Sequence, residues 1–370
     1  MPYTLHPLRT VYRRAGVALN VLLQQMPADE QFAVFSTVTV RDRVWAAQTE
    51  ADNKYHGQPF TWKMMVGDLS NMYDALPYDA IDKGIAWMCN KSSTWTGKRT
   101  QTAVSVNKWG REARMGCNTA YDDHWVKFTL QELQDICSYD NSQSLVMLKG
   151  LVAQQVAGCP MGGFLSPAKA NATCSQQEQL LLERRPEGIV MVLCRYMDDV
   201  FILAAYATEA EEKAIDSFCA YVQGGPELEG GYPPPLELNV EPEAKVQYFL
   251  ELQITVVGSR VDVMLYNKVV PALQKGSLQL SRLPDVGDAS SHQLRRNWVV
   301  GYLHRIKAGC TDMGLARQAI CTLAEELQHS AMLKYLVWGL AHVCRRDLDC
   351  GESDKFWIYV VGVTPYDGWI

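Results

Sequence analysis

The residues best suited to chemistry lie in the run Arg195-Tyr196-Met197-Asp198-Asp199-Val200. Apolar stretches flank it, Ile189 to Cys194 and Val200 to Ala205, so the pattern predicts a buried β-hairpin with a polar tip. Two adjacent carboxylates at such a tip are costly to bury unless something neutralises them. Divalent cations do so, and a pair of them can activate a hydroxyl and stabilise a leaving pyrophosphate. An Asp-Asp pair after a strand is also an ordinary turn, so the reading depends on a third carboxylate and a substrate loop elsewhere.

Both are present. Trp62 to Val66 reads as a short strand, which places Asp68 at its end. Tyr73 follows five residues later, and Leu76-Pro77 opens an apolar-periodic helix through Ile81, Ile85, Trp87 and Met88. Further on, Gln155 to Pro167 is glycine-rich, with Gly158, Pro160, Gly162 and Gly163, and runs into a helix. Ser166 is the expected N-cap and Pro167 the expected first helical residue. The helix continues through Ala170, Asn171 and Cys174 toward Arg185, where Pro186 stops it. Glycines let a backbone approach a ligand closely, and a helix N-terminus favours anions. Taken alone, such a loop is also a plain turn.

The order strand-Asp, glycine loop and helix, hairpin-Asp-Asp is that of a polymerase palm, and the chain resembles a reverse transcriptase, most closely those of Penelope-like retroelements. The segment with Asp68 resembles the first catalytic block of that family. Gln155 to Asn171 resembles its pattern of Gln, two residues, Gly, two residues, Met-Gly, then Ser-Pro and Ala-Asn. Arg195 to Asp199 resembles the Arg-Tyr-x-Asp-Asp block. Phe249-Leu250-Glu251-Leu252, within Leu238 to Ile254, resembles the strand pair that follows, although the family usually has Phe-Leu-Asp. Ser291-His292 resembles the start of the thumb, and Pro7-Leu8-Arg9-Thr10-Val11 the Arg-Pro-Ile block of the fingers, with Thr10 in place of Pro.

The resemblance implies an α+β right-hand polymerase: an antiparallel palm sheet with packed helices, reduced fingers and a helical thumb. Residues 1–60 would be partial fingers, 61–265 the palm with a fingers insertion at about 90–123, and 266–370 the thumb. It implies that Asp68, Asp198 and Asp199 are catalytic and hold Mg²⁺, or alternatively Mn²⁺, with Asp199 the most dispensable of the three. Arg9 would pair with the triphosphate. Tyr73 would lie beneath the incoming sugar. Gly158, Pro160, Gly162, Gly163 and Ser166 would line the nucleotide and template, and Phe249-Leu250 would form the primer grip. The implied partners are an RNA or DNA template with its primer, and dNTPs. The family has a further basic fingers residue for which Arg13, Arg14, Lys54 and Lys63 are the candidates here; the chain reads as a truncated or free-standing polymerase module.

Composition fits an enzyme of this kind. Among 370 residues, 48% are hydrophobic and 10% aromatic, which is ample core material. No run approaches the roughly 18 apolar residues of a membrane span. Met1 to Arg14 is basic and polar rather than a secretory leader. The 11 cysteines show no CxxC pair or zinc spacing, which suits reduced thiols and a nuclear or cytoplasmic protein that is not secreted. A net charge of −6 opposes nucleic-acid binding, but the acidic residues gather at Glu209 to Glu212, Glu227 to Glu243 and Glu325-Glu326, apart from the basic clusters.

The helical pattern after Ser290 places Leu294, Trp298, Tyr302 and Ile306 on one core-facing stripe, and Arg295, Arg296, Arg305 and Lys307 toward a duplex across a loose palm interface. Phe356 to Val363 reads as a final strand. Two other functions share much of this pattern. A viral RNA-directed RNA polymerase has the same palm, but commonly carries Asp where this chain has Tyr73. A non-enzymatic nucleic-acid-binding scaffold tends to lose its metal ligands, whereas all three Asp residues stand here.

Overall fold

The structure, a computed structural model, describes residues 7–27, 29–95, 103–116, 124–148, 151–160, 162–224, 230–267, 291–329, 332–348 and 356–361. Helices α1 (Arg9–Gln24) and α2 (Thr37–Lys54) precede strand β1 (Thr61–Leu69). Then come α3 (Met72–Ala75), α4 (Tyr78–Trp95), β2 (Ala103–Asn107), β3 (Ala113–Met115), β4 (Trp125–Thr129), α5 (Leu130–Ser142), β5 (Leu145–Leu148) and β6 (Leu151–Gln154). Next are α6 (Ser166–Leu182), β7 (Met191–Tyr196), β8 (Asp199–Tyr206), α7 (Glu209–Gln223) and β9 (Leu238–Val240). β10 (Val246–Phe249), β11 (Leu252–Val257) and β12 (Arg260–Leu265) lead to α8 (His292–Gly309), α9 (Met313–His329), α10 (Leu333–Leu348) and α11 (Phe356–Val361).

The organising element is an antiparallel sheet in the order β7-β8-β1-β9. Its inner strands are apolar on both faces, and the two faces enter different cores. Met65, Leu69, Val200 and Ile202 join one core with α1, α4 and α6. Met64, Val66, Phe201 and Leu203 join the other, with α2, the β10-β11-β12 sheet and the C-terminal helices. Strand alternation thus builds a three-layer α+β unit on a single sheet. Among the described residues no helix is long and apolar enough to cross a membrane.

Several segments differ from the sequence-based expectation. Helix α1 begins at Arg9, and Tyr12, Ala15, Leu19, Leu22 and Leu23 form its buried stripe. Helix α2 occupies a β-branched segment whose Val40, Val44, Ala47 and Ala51 share a buried face, with Ser36 capping it through Thr39 N. The described part of the expected insertion at about 90–123 belongs to the last turn of α4 and to a β3-β2-β4 sheet, in which β2 is fully buried.

The C-terminal segment from Phe356 is a helix and not a strand, since Trp357 and Val360 bury one face, and Asp347 Oδ2 accepts from Trp357 N. Helix α8 buries Tyr302 and Ile306 of its expected stripe but turns Leu294 outward. Leu294 is 55% exposed, while Arg295, Val299, Leu303 and Ile306 are buried. Arg295 therefore does not face a duplex. Nor is the contact with the rest of the molecule loose: Val299, Leu303 and Ile306 share one continuous core with Phe249, Leu252, Ile254 and Val263. Arg305 is paired with Glu251 at the β10-β11 turn.

Candidate active site

The register of β1 against β8 sets the site. Gly67 pairs with Val200 and Asp68 with Asp199, and Leu69 N donates to Asp198 O at 2.9 Å. Residues directly opposite in an antiparallel pair project to the same face, so Asp68 and Asp199 stand side by side there. Asp198 precedes β8 in the tight tip of the hairpin. Asp68 is exposed, and its carboxyl is pushed up, first by partial burial and then by the Asp198 charge. Among the described residues no cation pairs with Asp68 or Asp198. Nor does any group of three or more His, Cys, Asp or Glu take the arrangement of a metal site. Asp68 thus lies within the electrostatic reach of Asp198 and directly opposite Asp199 in the register. Two mutually repelling carboxylates with no cation are a donor set that suits a hard divalent ion with oxygen and water ligands.

Tyr73 sits beside them. It lies in the short helix α3, which begins after Asn71 in the left-handed region (φ 53°), and its hydroxyl meets Met197 Sδ at 3.3 Å. Burial, and then the Asp198 charge, push its phenol up. The glycine loop docks directly on this helix. Gly158 N donates to Leu76 O at 2.7 Å and Cys159 N to Tyr73 O at 2.5 Å. Gly158 has φ +85°, and an added Cβ there would lie 2.6 Å from the carbonyl oxygens of Tyr73 and Asp74. Close backbone approach thus requires glycine at this position. Gly162 (φ +79°) is exposed and faces open space, whereas Gly163 is buried and donates to Pro160 O at 3.0 Å. Ser166 is the first residue of α6 rather than its N-cap, and its hydroxyl donates to Pro160 O at 2.7 Å, which closes the loop on itself.

Not every expected residue comes to the site. Arg9 is exposed at the start of α1. That helix meets the glycine loop through Gly16, against Phe164 O, about 10 Å further along its axis. Phe249 is fully buried and stacks on Phe201 (centroids 5.4 Å apart), so its side chain belongs to the core. Leu250, at the β10-β11 turn with φ 58°, is the partly exposed member of that pair. The four candidates for the missing basic residue are all engaged elsewhere. Arg13 donates to Trp109 O at 2.6 Å and Arg14 to Lys108 O at 3.0 Å. Lys54 pairs with Glu211 at 2.7 Å and Lys63 with Asp216 at 2.5 Å.

Behind the hairpin tip lies a buried network that motif reading only grazed. Arg195 and Glu178 are both fully buried and paired. Arg195 Nη1 donates to Asn171 Oδ1 (2.7 Å) and Met197 O (2.9 Å), and Nη2 reaches Ser175 Oγ (3.3 Å). Glu178 also accepts from Phe32 N and from the Tyr232 hydroxyl, each at 3.1 Å. The available signal was the spacing of Asn171, Ser175 and Glu178 at i, i+4 and i+7, a polar stripe on one face of α6. Phe32 and Tyr232 carry no such signal.

No family model and no curated protein matches this sequence. Among solved structures, telomerase from Candida albicans with the TWJ fragment of telomeric RNA matches with a TM-score of 0.59 at 11% identity, over 96% of this chain and 54% of that one. Telomerase from Candida tropicalis with a TWJ fragment matches with a TM-score of 0.48 at 14% identity, over 98% and 57%. This chain therefore spans a little over half the length of those telomerases. At such identity the first match shows the fold: α+β, antiparallel and polymerase-like.

Proposed function

We propose that this chain is an RNA-directed DNA polymerase of the reverse-transcriptase type, which extends a primer 3′-hydroxyl with dNTPs on an RNA or DNA template. The observation that carries this reading is the pairing of Asp68, at the end of β1, with Asp198, in the hairpin tip before β8, with no cation on either among the described residues, inside a fold shared with a telomerase. In this reading the β7-β8-β1-β9 sheet is the palm, the segments before β1 and between α4 and α6 are fingers, and α8 to α11 are the thumb. The wording of the blocks at Gln155 to Asn171 and Arg195 to Asp199 favours the Penelope-like branch.

Asp68 and Asp198 would hold Mg²⁺, or Mn²⁺, and Asp199 would assist. When bound, these ions supply charge neutralisation and Lewis acidity for phosphoryl transfer. The protein's own part is positioning. The β1-β8 register sets Asp68 opposite Asp199, Leu69 N holds the Asp198 carbonyl, and the glycine loop braces α3, on which Tyr73 would meet a sugar bound next to Asp198. A planar ring there excludes a 2′-hydroxyl, which separates this reading from an RNA-directed RNA polymerase. The engagement of Arg13, Arg14, Lys54 and Lys63 favours a second reading, a non-catalytic nucleic-acid-binding scaffold. Primer extension on RNA and DNA templates, with dNTPs and separately with NTPs, decides. Metal-dependent dNTP incorporation supports the polymerase, NTP incorporation the RNA polymerase, and template binding without extension the scaffold.

A further inference from the structure

Arg195 has 0% exposure, and its guanidinium fork is spread over four partners, Glu178, Asn171, Ser175 and the Met197 carbonyl. A buried ion pair seldom adds stability over an apolar pair of the same size, so stability alone does not account for one here. Its geometry offers another account. Met197 lies in the left-handed region (φ 56°), which a long side chain adopts only where its surroundings hold it. Met197 directly precedes Asp198, and Arg195 holds its carbonyl at 2.9 Å. The Arg195 backbone is pinned as well: its N–H donates to Phe32 O (2.7 Å), and its carbonyl accepts from Val34 N (2.8 Å).

We infer that Arg195 is a positioning residue. Through the Met197 carbonyl it fixes the turn that sets Asp198 against Asp68, and Glu178 holds the guanidinium in register by tying it to Phe32 and Tyr232. This rests on the reading of Asp68 and Asp198 as a divalent-cation site. Groups that orient ligands from behind typically change metal affinity about 10–100-fold when altered. Lysine cannot replace the arginine here, because a single ammonium lacks the planar fork that serves Met197, Asn171 and Glu178 together.

The test measures Mn²⁺ binding to the full chain, without nucleic acid, by titration calorimetry, alongside thermal melting. Wild type, Asp198→Asn, Arg195→Lys and the double variant Arg195→Met/Glu178→Gln are compared. The double variant removes both buried charges together and leaves Glu178's place with an acceptor for Phe32 N. The expected result is Mn²⁺ binding by wild type, its loss in Asp198→Asn, and a weakening of about 10–100-fold in both Arg195 variants with a retained melting transition. Unchanged Mn²⁺ affinity in a folded Arg195 variant overturns the positioning role and leaves the cation site standing. Equal binding by wild type and Asp198→Asn overturns the cation site, and the positioning role with it. Loss of the fold in both Arg195 variants overturns the inference too, since the pair is then a requirement of the core.

Discussion

Strand β1 carries an acidic cluster at each end, and the two are built differently. Near its start, Lys63 stands among Asp216 (2.5 Å), Glu212 (3.8 Å) and Glu243 (4.0 Å), while neighbouring Lys54 pairs with Glu211 at 2.7 Å. About 17 Å along the strand, Asp68 faces Asp198 with no cation among the described residues. The electrostatic consequences have opposite signs. Glu211 is pulled down to about 2: burial would raise it, but hydrogen bonds from Lys54, the Ala207 amide and Tyr55 outweigh that. Asp68 is pushed up by burial and by Asp198. A cluster that contains its own lysine is finished as folded and joins α7 to the sheet. In the proposed reading, a cluster that lacks one among the described residues awaits a divalent cation, and this difference separates the two kinds of acid.

The largest effect should come from removing the repulsion where no lysine relieves it. Asp198→Asn should cut primer extension by at least about a hundredfold, the usual cost of losing one preorganised electrostatic group. The metal-free protein should melt no lower than wild type, because the like-charge contact is gone. Added Mg²⁺ should raise the melting temperature of wild type and leave the variant unmoved. Wild-type extension rates in Asp198→Asn, or an equal response of both proteins to Mg²⁺, would break the contrast between the two ends.

The elements that carry the candidate site were largely legible before any fold was known, because their signals are local. Asp68, Tyr73, the Gly158–Gly163 loop and the Asp198-Asp199 tip each sit at a strand end or helix start that apolar periodicity marks. What escaped is non-local. That Phe249 is core follows only from its stacking on Phe201, nearly fifty residues away. The outward turn of Leu294 on α8 follows from what that helix packs against, which seats Arg295 inward. Helix α2 and the helix at Phe356–Val361 were hidden by β-branched and aromatic residues whose intrinsic preference tertiary packing overrode. The ion pairs of the lysines at the other end of β1 are non-local as well. Nothing in the sequence near Lys63 announces that Asp216 and Glu243 will surround it.

Tyr73 sharpens the comparison at the level of substrate. It is half-buried and leans on Met197 beside Asp198. Tyr73→Ala should keep dNTP extension and gain NTP incorporation by about tenfold or more, a difference of roughly 1.4 kcal/mol in discrimination. If the ring is instead a seal at the strand-helix junction, both nucleotides fall together and the melting point drops with a loss approaching ~3–5 kcal/mol. Extension with each nucleotide class, set against a melting curve, separates the two.

At the compensated end the effects should be smaller and confined to stability. Lys63→Met leaves Asp216, Glu212 and Glu243 facing one another, but these side chains are 52%, 38% and 66% exposed, so solvent screens them. The expected loss is about 1 kcal/mol, with extension activity unchanged. Raising salt should narrow the gap from wild type, since screening weakens both the lost attraction and the new repulsion. A collapse of activity in a stably folded Lys63→Met would place this lysine in the machinery after all.

The smallest effect is also the one that tests the opposite signs directly. Burial pushes the Glu211 carboxyl up, but hydrogen bonds from Lys54, the Ala207 amide and Tyr55 pull it from its ordinary 4.5 down to about 2. Its contribution is therefore fully present above about pH 4.5 and is lost as pH falls through that window toward 2. Asp68 runs the other way: with its pKa raised above 3.8, its favourable contribution is present at low pH and is lost as the carboxyl ionises beside Asp198. Glu211→Gln should thus lower stability near pH 7 by on the order of 1 kcal/mol after allowance for screening, and the difference from wild type should close below about pH 3. The capping box that Glu211 forms with Thr208 at the start of α7 can be kept by Gln, so the substitution chiefly reports the lost charge. Asp198→Asn, measured without metal, should show its relative gain near pH 7 and lose it in acid. Melting temperatures of the three proteins from about pH 2.5 to 7 give both differences in one series. If the two variants diverge from wild type in the same direction near neutrality, the acidic clusters at the two ends of β1 are electrostatically alike, and the absence of a lysine beside Asp68 and Asp198 among the described residues carries no functional meaning.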